Sequence, residues 1–246
     1  MAALLTILLL VLLSLVLTAC GKNDSHSPGA VTRCLSFFKR HFYMTFISER
    51  RYILFVRGLL TTLLITLLSG FFGSLFGFVL FVTRSRASLA VRTLTGGFIT
   101  LISSMPPIIF IMLVYYSYYK NMYQGGLFAA IFGFLIIFGT RVYHVIKKNA
   151  LTIDEGKFER SYRLEEIDEK VFFSGLKKHT WPSLKADFKV ELIEMIKHTS
   201  VLGFISVMDL THAFDTIRKD SMEIMVPLFI TALVYFIIIR LTDRIL

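Results

Sequence analysis

Long uncharged apolar runs dominate the chain. Gly58 to Val82 passes 25 residues without a charge, and Thr93 to Tyr119 passes 27. Asn121 to Thr140 is a third run, and Met222 to Ile239 a fourth with only Glu223 near its edge. A membrane helix needs about 20 predominantly apolar residues, so each run predicts a span. The stretch from Asp187 to Met208 is mixed. Its second half is apolar, but Glu191, Glu194, Lys197 and His198 occupy the first. Loop parity makes it a fifth spanning helix, because otherwise the basic loop before it and the basic tail fall on opposite sides. Met1 to Ala19 is a further apolar run. The expected fold class is an all-α membrane protein, a five-helix core preceded by a signal-like or anchor helix.

Composition narrows the class. Of 246 residues 55% are hydrophobic and only 18% charged, yet the formal charge is +10. Disorder needs low hydrophobicity, and two cysteines, Cys20 and Cys34, are too few for a disulfide scaffold. A nucleic-acid module is basic too, but carries no runs of bilayer length, so no nucleic-acid partner is expected.

Lys and Arg in the loops set orientation. Thr83 to Arg92 holds Arg84, Arg86 and Arg92 with no acid; Arg141 to Ala186 holds ten basic and seven acidic residues; the tail holds Arg240 and Arg244. Alternation of five helices puts all three on one side, which is therefore cytoplasmic, with the C-terminus. Residues 21–57 then lie outside, with seven basic residues and two acidic ones among Phe37, Phe38, Phe42, Tyr43, Phe46 and Tyr52. That mixture fits a helix lying in the interface plane, or a basic extension of the first core helix. The expected organisation is 1–20 as signal, lipoprotein-like or anchor segment, 21–57 as external tether and interfacial segment, and 58–246 as the five-helix domain, with its long loop at 141–186.

Leu17-Thr18-Ala19 followed by Cys20 resembles a bacterial lipoprotein signal, with Cys20 as the lipidation candidate and a polar tether after it. Enzyme motifs are scarce. There is no P-loop, and the six histidines show no metal spacing, so no catalytic residue, metal or cofactor is expected. Met105-Pro106-Pro107 interrupts an apolar run. Proline kinks or breaks a helix, and a break at membrane depth is one way transport sites expose backbone. Glu191, Glu194, Lys197 and His198 share one helical face and lead into Thr199 and Ser200. Charges in a membrane helix usually face the bundle interior or a water-filled path. They form either an internal pair of Glu194 with Lys197 or His198, or the wall of a solute path. Gly73 and Gly77, four apart, predict close helix packing within the bundle or a dimer face. In the long loop, Glu159 with Arg163 and Glu166 with Lys170 are i,i+4 pairs that support a short charged helix.

From about residue 55 onward the chain resembles the permease subunit of an ABC importer for polar amino acids. Gly58-Leu59-Leu60-Thr61-Thr62-Leu63 is similar to the family's opening Gly…Thr-Leu. The family's Arg-Gly-Thr-Pro falls on Ser103-Ser104-Met105-Pro106. Its Ser-Ile-x-x-Gly-Gln-x-Glu-Ala-Ala falls on Thr152-Ile153-Asp154-Glu155-Gly156-Lys157-Phe158-Glu159-Arg160-Ser161. Its Lys-Asp-Thr-Ser-Leu falls on Lys197-His198-Thr199-Ser200-Val201, and the acid and leucine that follow fall on Asp209-Leu210. The chain departs from the family at Arg160 and Ser161, at Glu165 where the family has glycine, at Lys178 where it has proline, and at Thr140-Arg141 and His144.

The resemblance implies a five-helix permease of the bacterial inner membrane that hydrolyses no ATP itself. It implies three partners: a separate ABC ATPase, a second permease subunit in a homo- or heterodimer, and an external amino-acid-binding protein, all beside membrane lipids. Ile153, Gly156, Glu159, Leu164 and Glu165 would lie in the ATPase-coupling loop. Pro106, Glu191, Glu194, Lys197, Thr199 and Ser200 would line the translocation path. Two other functions fit the residues: an accessory subunit with degenerate motifs, and an intramembrane enzyme using Glu191, Glu194 and His198.

Overall fold

The computed structural model describes residues 39–47, 49–155 and 181–246, and Cys20 with the N-terminal apolar run lies outside them. Helix α1 (Tyr52–Arg86) covers the first predicted run and extends it at both ends. The second run is broken. α2 (Leu89–Ser104) stops at Met105-Pro106, and α3 (Pro107–Val114) starts from a proline at its first position and ends in a π-helical turn, Tyr115–Tyr119. The axes of the two limbs differ by 110°. Pro107 costs nothing at N1, where its missing N–H would have no intrahelical partner, so the sequence breaks here rather than kinks. α4 (Gly125–Glu155) is the third run. α5 (Trp181–His198) tightens into a 3₁₀ run, Thr199–Ile205, and α6 (Leu210–Ser221) is a short amphipathic helix before α7 (Met225–Ile245).

Three helices among the described residues are long and apolar enough to cross a membrane (α1, α4 and α7), and four if the α2–α3 pair is one span. The stretch expected to span from Asp187 to Met208 does not form one continuous helix and is too polar to qualify alone. It begins earlier, at Trp181, and about 27 Å of α-helix plus about 14 Å of 3₁₀ give it the length to cross. Its polar side chains turn toward neighbours. Glu191 pairs with Arg141 of α4 at 3.0 Å, Asp187 with Lys148 at 3.0 Å, and Lys189 with Asp243 of α7 at 2.8 Å.

The core forms where α1 meets α4. On α1 a line of small or hydroxylated residues faces inward, Gly58, Thr62, Thr66, Ser69, Gly73 and Gly77, with Phe55, Ile65, Leu80 and Phe81 buried beside it. A Cβ on Gly77 would sit 2.5 Å from the Gly139 carbonyl oxygen of α4, and one on Gly73 would sit 3.0 Å from that of Leu135. The paired glycines therefore serve packing within the chain. Ser69 donates to the Ile131 carbonyl at 3.1 Å across the same seam. Phe134, Phe138 and Ile111 fill the space beside it, with Leu202 and Ile205 of the 3₁₀ run.

A second cluster is separate from the first. Phe46, Phe55, Leu210, Ile217, Val226 and Ile238 pack together, and Phe46 sits 5.4 Å from the Phe42 ring and 5.6 Å from that of Phe55. Tyr52 to Arg57 begin α1, and Arg51 is buried, pairing with Glu49 and donating to the Asp220 carbonyl at 3.3 Å. The segment before the first span is anchored on α6 and α7.

Candidate translocation site

The polar side chains of α5 are partnered by α4, by α7 and within α5 itself. Arg141 reaches Glu191 from α4 because the two helices pack along their lengths, and both side chains keep more than a quarter of their exposure, 29% and 28%. One turn on, Glu194 pairs with Lys197 at 2.6 Å within α5, and this pair is more open, at 39% and 52%. Thr199 is buried and donates to the Ile196 carbonyl at 2.7 Å; Ser200 donates to the Lys197 carbonyl at 2.8 Å. Both hydroxyls thus close back on the end of α5, where its last carbonyls lack intrahelical partners. Every carboxylate of the predicted stripe has an internal cation. The internal-pair reading holds for Glu194, and Arg141 is the partner of Glu191 that spacing alone did not reveal.

Pro106 is exposed and caps α3, which packs against the 3₁₀ run Thr199–Ile205. The broken helix and the end of the polar stripe therefore adjoin, although separated by about ninety residues of chain. His144 stands near the other limb, 3.4 Å from the Ser103 hydroxyl on α2. Ile153 falls in the last turn of α4. Gly156, Glu159, Leu164 and Glu165 lie outside the described residues. Among the described residues no group of His, Cys, Asp or Glu could hold a metal ion.

Two motif fragments at opposite ends of the sequence meet. Asp209 accepts from the His212 amide at 2.9 Å and the Thr211 amide at 3.3 Å, so it is the N-cap of α6. The Leu210 amide donates to the Thr62 hydroxyl of α1 at 3.1 Å, and a Cβ on Gly58 would lie 2.6 Å from the Asp209 carbonyl oxygen. Gly58 and Thr62 are thus where α1 accepts the start of α6. Burial pushes the Asp209 carboxyl above its ordinary value, against the lowering effect of the two amides.

No family model matches the chain. It is 23% identical over 192 residues, 76% of its length, to a glutamine transport system permease protein, GlnP, of Rickettsia felis, covering 86% of that protein. It is 20% identical over 183 residues to the L-cystine transport system permease protein TcyB of Bacillus subtilis, covering 74% of this chain and 78% of TcyB. The crystal structure of an amino acid ABC transporter with histidines superposes with a TM-score of 0.65 at 22% identity, covering 81% of this chain and 94% of that one. The fold is that of an ABC transporter permease. An inward-facing MetNI methionine ABC transporter matches at TM-score 0.59 and 22% identity, over 81% of this chain and 97% of its own. The relatives are membrane subunits of transport systems and not enzymes. The chain is a multi-pass membrane protein.

Proposed function

We propose that this chain is the permease subunit of an ATP-driven amino acid importer. The observation that carries the reading is a match over 192 residues to a glutamine transport permease, joined to the same fold over 81% of the chain. The path runs along the face of α5 that bears Glu191, Glu194, Lys197, Thr199 and Ser200, beside the break at Pro106. Alternating access is rigid-body gating around such a site. Because Glu191 and Glu194 are both internally paired, the stripe presents balanced charge. That suits a zwitterionic amino acid better than a cationic one.

A soluble ATPase docks on the loop after Ile153, through Gly156, Glu159, Leu164 and Glu165, and a second permease subunit completes the path. An external binding protein delivers the solute. The basic loops support an orientation with α1's C-terminal end, the long loop and the C-terminus in the cytoplasm, and the N-terminal tether outside, anchored through Cys20 or a retained helix.

Reconstitution of the chain with its ATPase, its partner permease subunit and its binding protein in proteoliposomes, followed by radiolabelled glutamine and cystine uptake, tests the reading. ATP-dependent uptake that Glu159→Lys abolishes is the expected result. Uptake that needs no ATPase, or assembly and uptake unchanged in Glu159→Lys, overturns the coupling assignment. Assembly without any uptake points instead to an accessory subunit.

A further inference from the structure

The start of the first span carries charge that the path described above does not use. Lys39, Arg40, Arg50 and Arg57 are exposed, and none of the four makes an ion pair among the described residues. Of the acids that meet this segment, Glu49 pairs with Arg51 and Glu223 with His41 at 3.4 Å, while Asp220 meets Arg51 through its backbone carbonyl. Packing fixes where the cations stand. Phe46 is buried and lies 5.6 Å from Phe55, so residues 39–47 lean on the first turn of α1. Their outer face shows Tyr43, Met44 and Ile47, all exposed. Basic side chains beside an exposed apolar and aromatic face make the composition of an element that lies in the headgroup layer.

α1 continues that face into the bilayer. Arg57, Leu60, Leu64, Leu67 and Phe71 recur at steps of three and four, so they form one stripe. Leu60, Leu67 and Phe71 are exposed at 59%, 71% and 69%. From Arg57 to Leu67 the helix rises about 15 Å, half of a hydrocarbon thickness of about 30 Å. A cation at the head of an apolar stripe one leaflet long matches a phospholipid, with phosphate at the cation and acyl chain on the stripe. Exposed cations that no acid balances favour an anionic headgroup over a zwitterionic one. We propose that residues 39–57 bind anionic phospholipid, with the phosphate on Arg57, the other three cations adding attraction, and an acyl chain along Leu60, Leu64 and Leu67. The inference needs only that the chain sits in a bilayer, so it stands whether or not the transport reading does.

The test uses the full chain in phosphatidylcholine nanodiscs titrated with phosphatidylglycerol, read by native mass spectrometry and by hydrogen exchange. Retained phosphatidylglycerol should fall about fivefold in Arg57→Gln and further when Arg40→Gln is added. Lys219→Gln, whose cation is already paired with Asp215, should change nothing. In the unaltered chain, phosphatidylglycerol should slow exchange of amides 50–57 in step with its mole fraction, a readout that does not depend on any variant folding. Equal exchange in phosphatidylcholine alone overturns the proposal, as does retention unchanged in Arg57→Gln. Slowing by inorganic phosphate in phosphatidylcholine discs also overturns it, because a free anion then suffices. Slowing that follows protein concentration rather than lipid charge overturns it too, because a second copy of the chain then covers the stripe.

Discussion

Helices α1 and α6 touch, yet they follow opposite rules. α1 buries a line of small residues, Gly58, Thr62, Ser69, Gly73 and Gly77, along with Ile65, Leu80 and Phe81, and exposes Leu60, Leu64, Leu67, Phe71 and Leu75. α6 buries Leu210, Ala213 and Ile217 and exposes Lys219 and Asp220. The second pattern is that of a helix in water, where apolar area drives burial. The first is that of a helix in lipid, where tails are as apolar as leucine and association rests on close backbone approach and interhelical hydrogen bonds. The two patterns meet where Gly58 and Thr62 contact Asp209 and Leu210.

The comparison breaks most visibly at Gly77. Gly77→Leu must push α4's backbone away, and overpacking of this kind typically costs about 1–3 kcal/mol, more where backbone must move. Leu67→Ala on the opposite face should change stability by less than about 0.5 kcal/mol. Thermal unfolding of both variants in detergent compares them. If the leucine truncation proves as costly as the glycine replacement, α1 does not face lipid as described.

Next in size is the ion pair that lets the polar α5 lie among apolar helices. Arg141→Leu should destabilise by roughly 1–3 kcal/mol, below the 3–5 typical of a fully buried pair, because both partners keep partial exposure. Adding Glu191→Leu should recover most of the loss. A double variant no more stable than the single one would mean that the pair is not what holds α5 to α4.

A smaller effect tests the water side. Asp209→Ala removes the cap of α6 and should cost about 0.5–2 kcal/mol, measured as faster amide exchange in residues 210–214. Asp209→Asn keeps the acceptor and sheds the burial penalty of the charge, so it should be neutral or stabilising.

The smallest effect is on pH. Lys219 and Arg218 hold the Asp215 carboxyl below its ordinary value of 3.8. A depressed folded value means the contribution is present above the unfolded value and is lost as pH falls through the folded one. Asp209 runs the other way: with its folded value raised, its contribution is complete below the unfolded value and is lost as pH rises through the folded one. Exchange of α6 amides against pH should therefore show an acid-side weakening that Asp215→Asn removes, while the opposing slope above it disappears in Asp209→Asn. An unchanged profile in Asp215→Asn would show that its pairs with Lys219 and Arg218 contribute nothing measurable, as is common for exposed pairs.

Much of the fold was legible because lipid demands long apolar helices with internally satisfied backbones. Hydropathy alone located α1, α4 and α7, and Pro106-Pro107 marked the break between α2 and α3. The polar face of α5 was visible as spacing, since Glu191, Glu194 and Lys197 recur at helical intervals. Its partners were not. Arg141 lies fifty residues from Glu191 and reads in isolation as a charge at the end of a span. The buried face of α1 was also only half legible. A helix that is apolar all round has no hydrophobic direction, so Gly73 and Gly77 signalled close packing without saying against what.

Taken by itself, then, the sequence determined that this is a helical membrane protein, where its apolar runs begin and end, and which loops are basic. These properties depend on transfer from water to lipid, which is summed residue by residue. The tertiary structure decided that α1 packs its small face on α4, that the family-like Asp209 caps α6 against Thr62, and that both acids of α5 are paired. Each of these is a contact between residues far apart in the chain. Such contacts follow from how rigid helices interdigitate, and local composition carries no record of it.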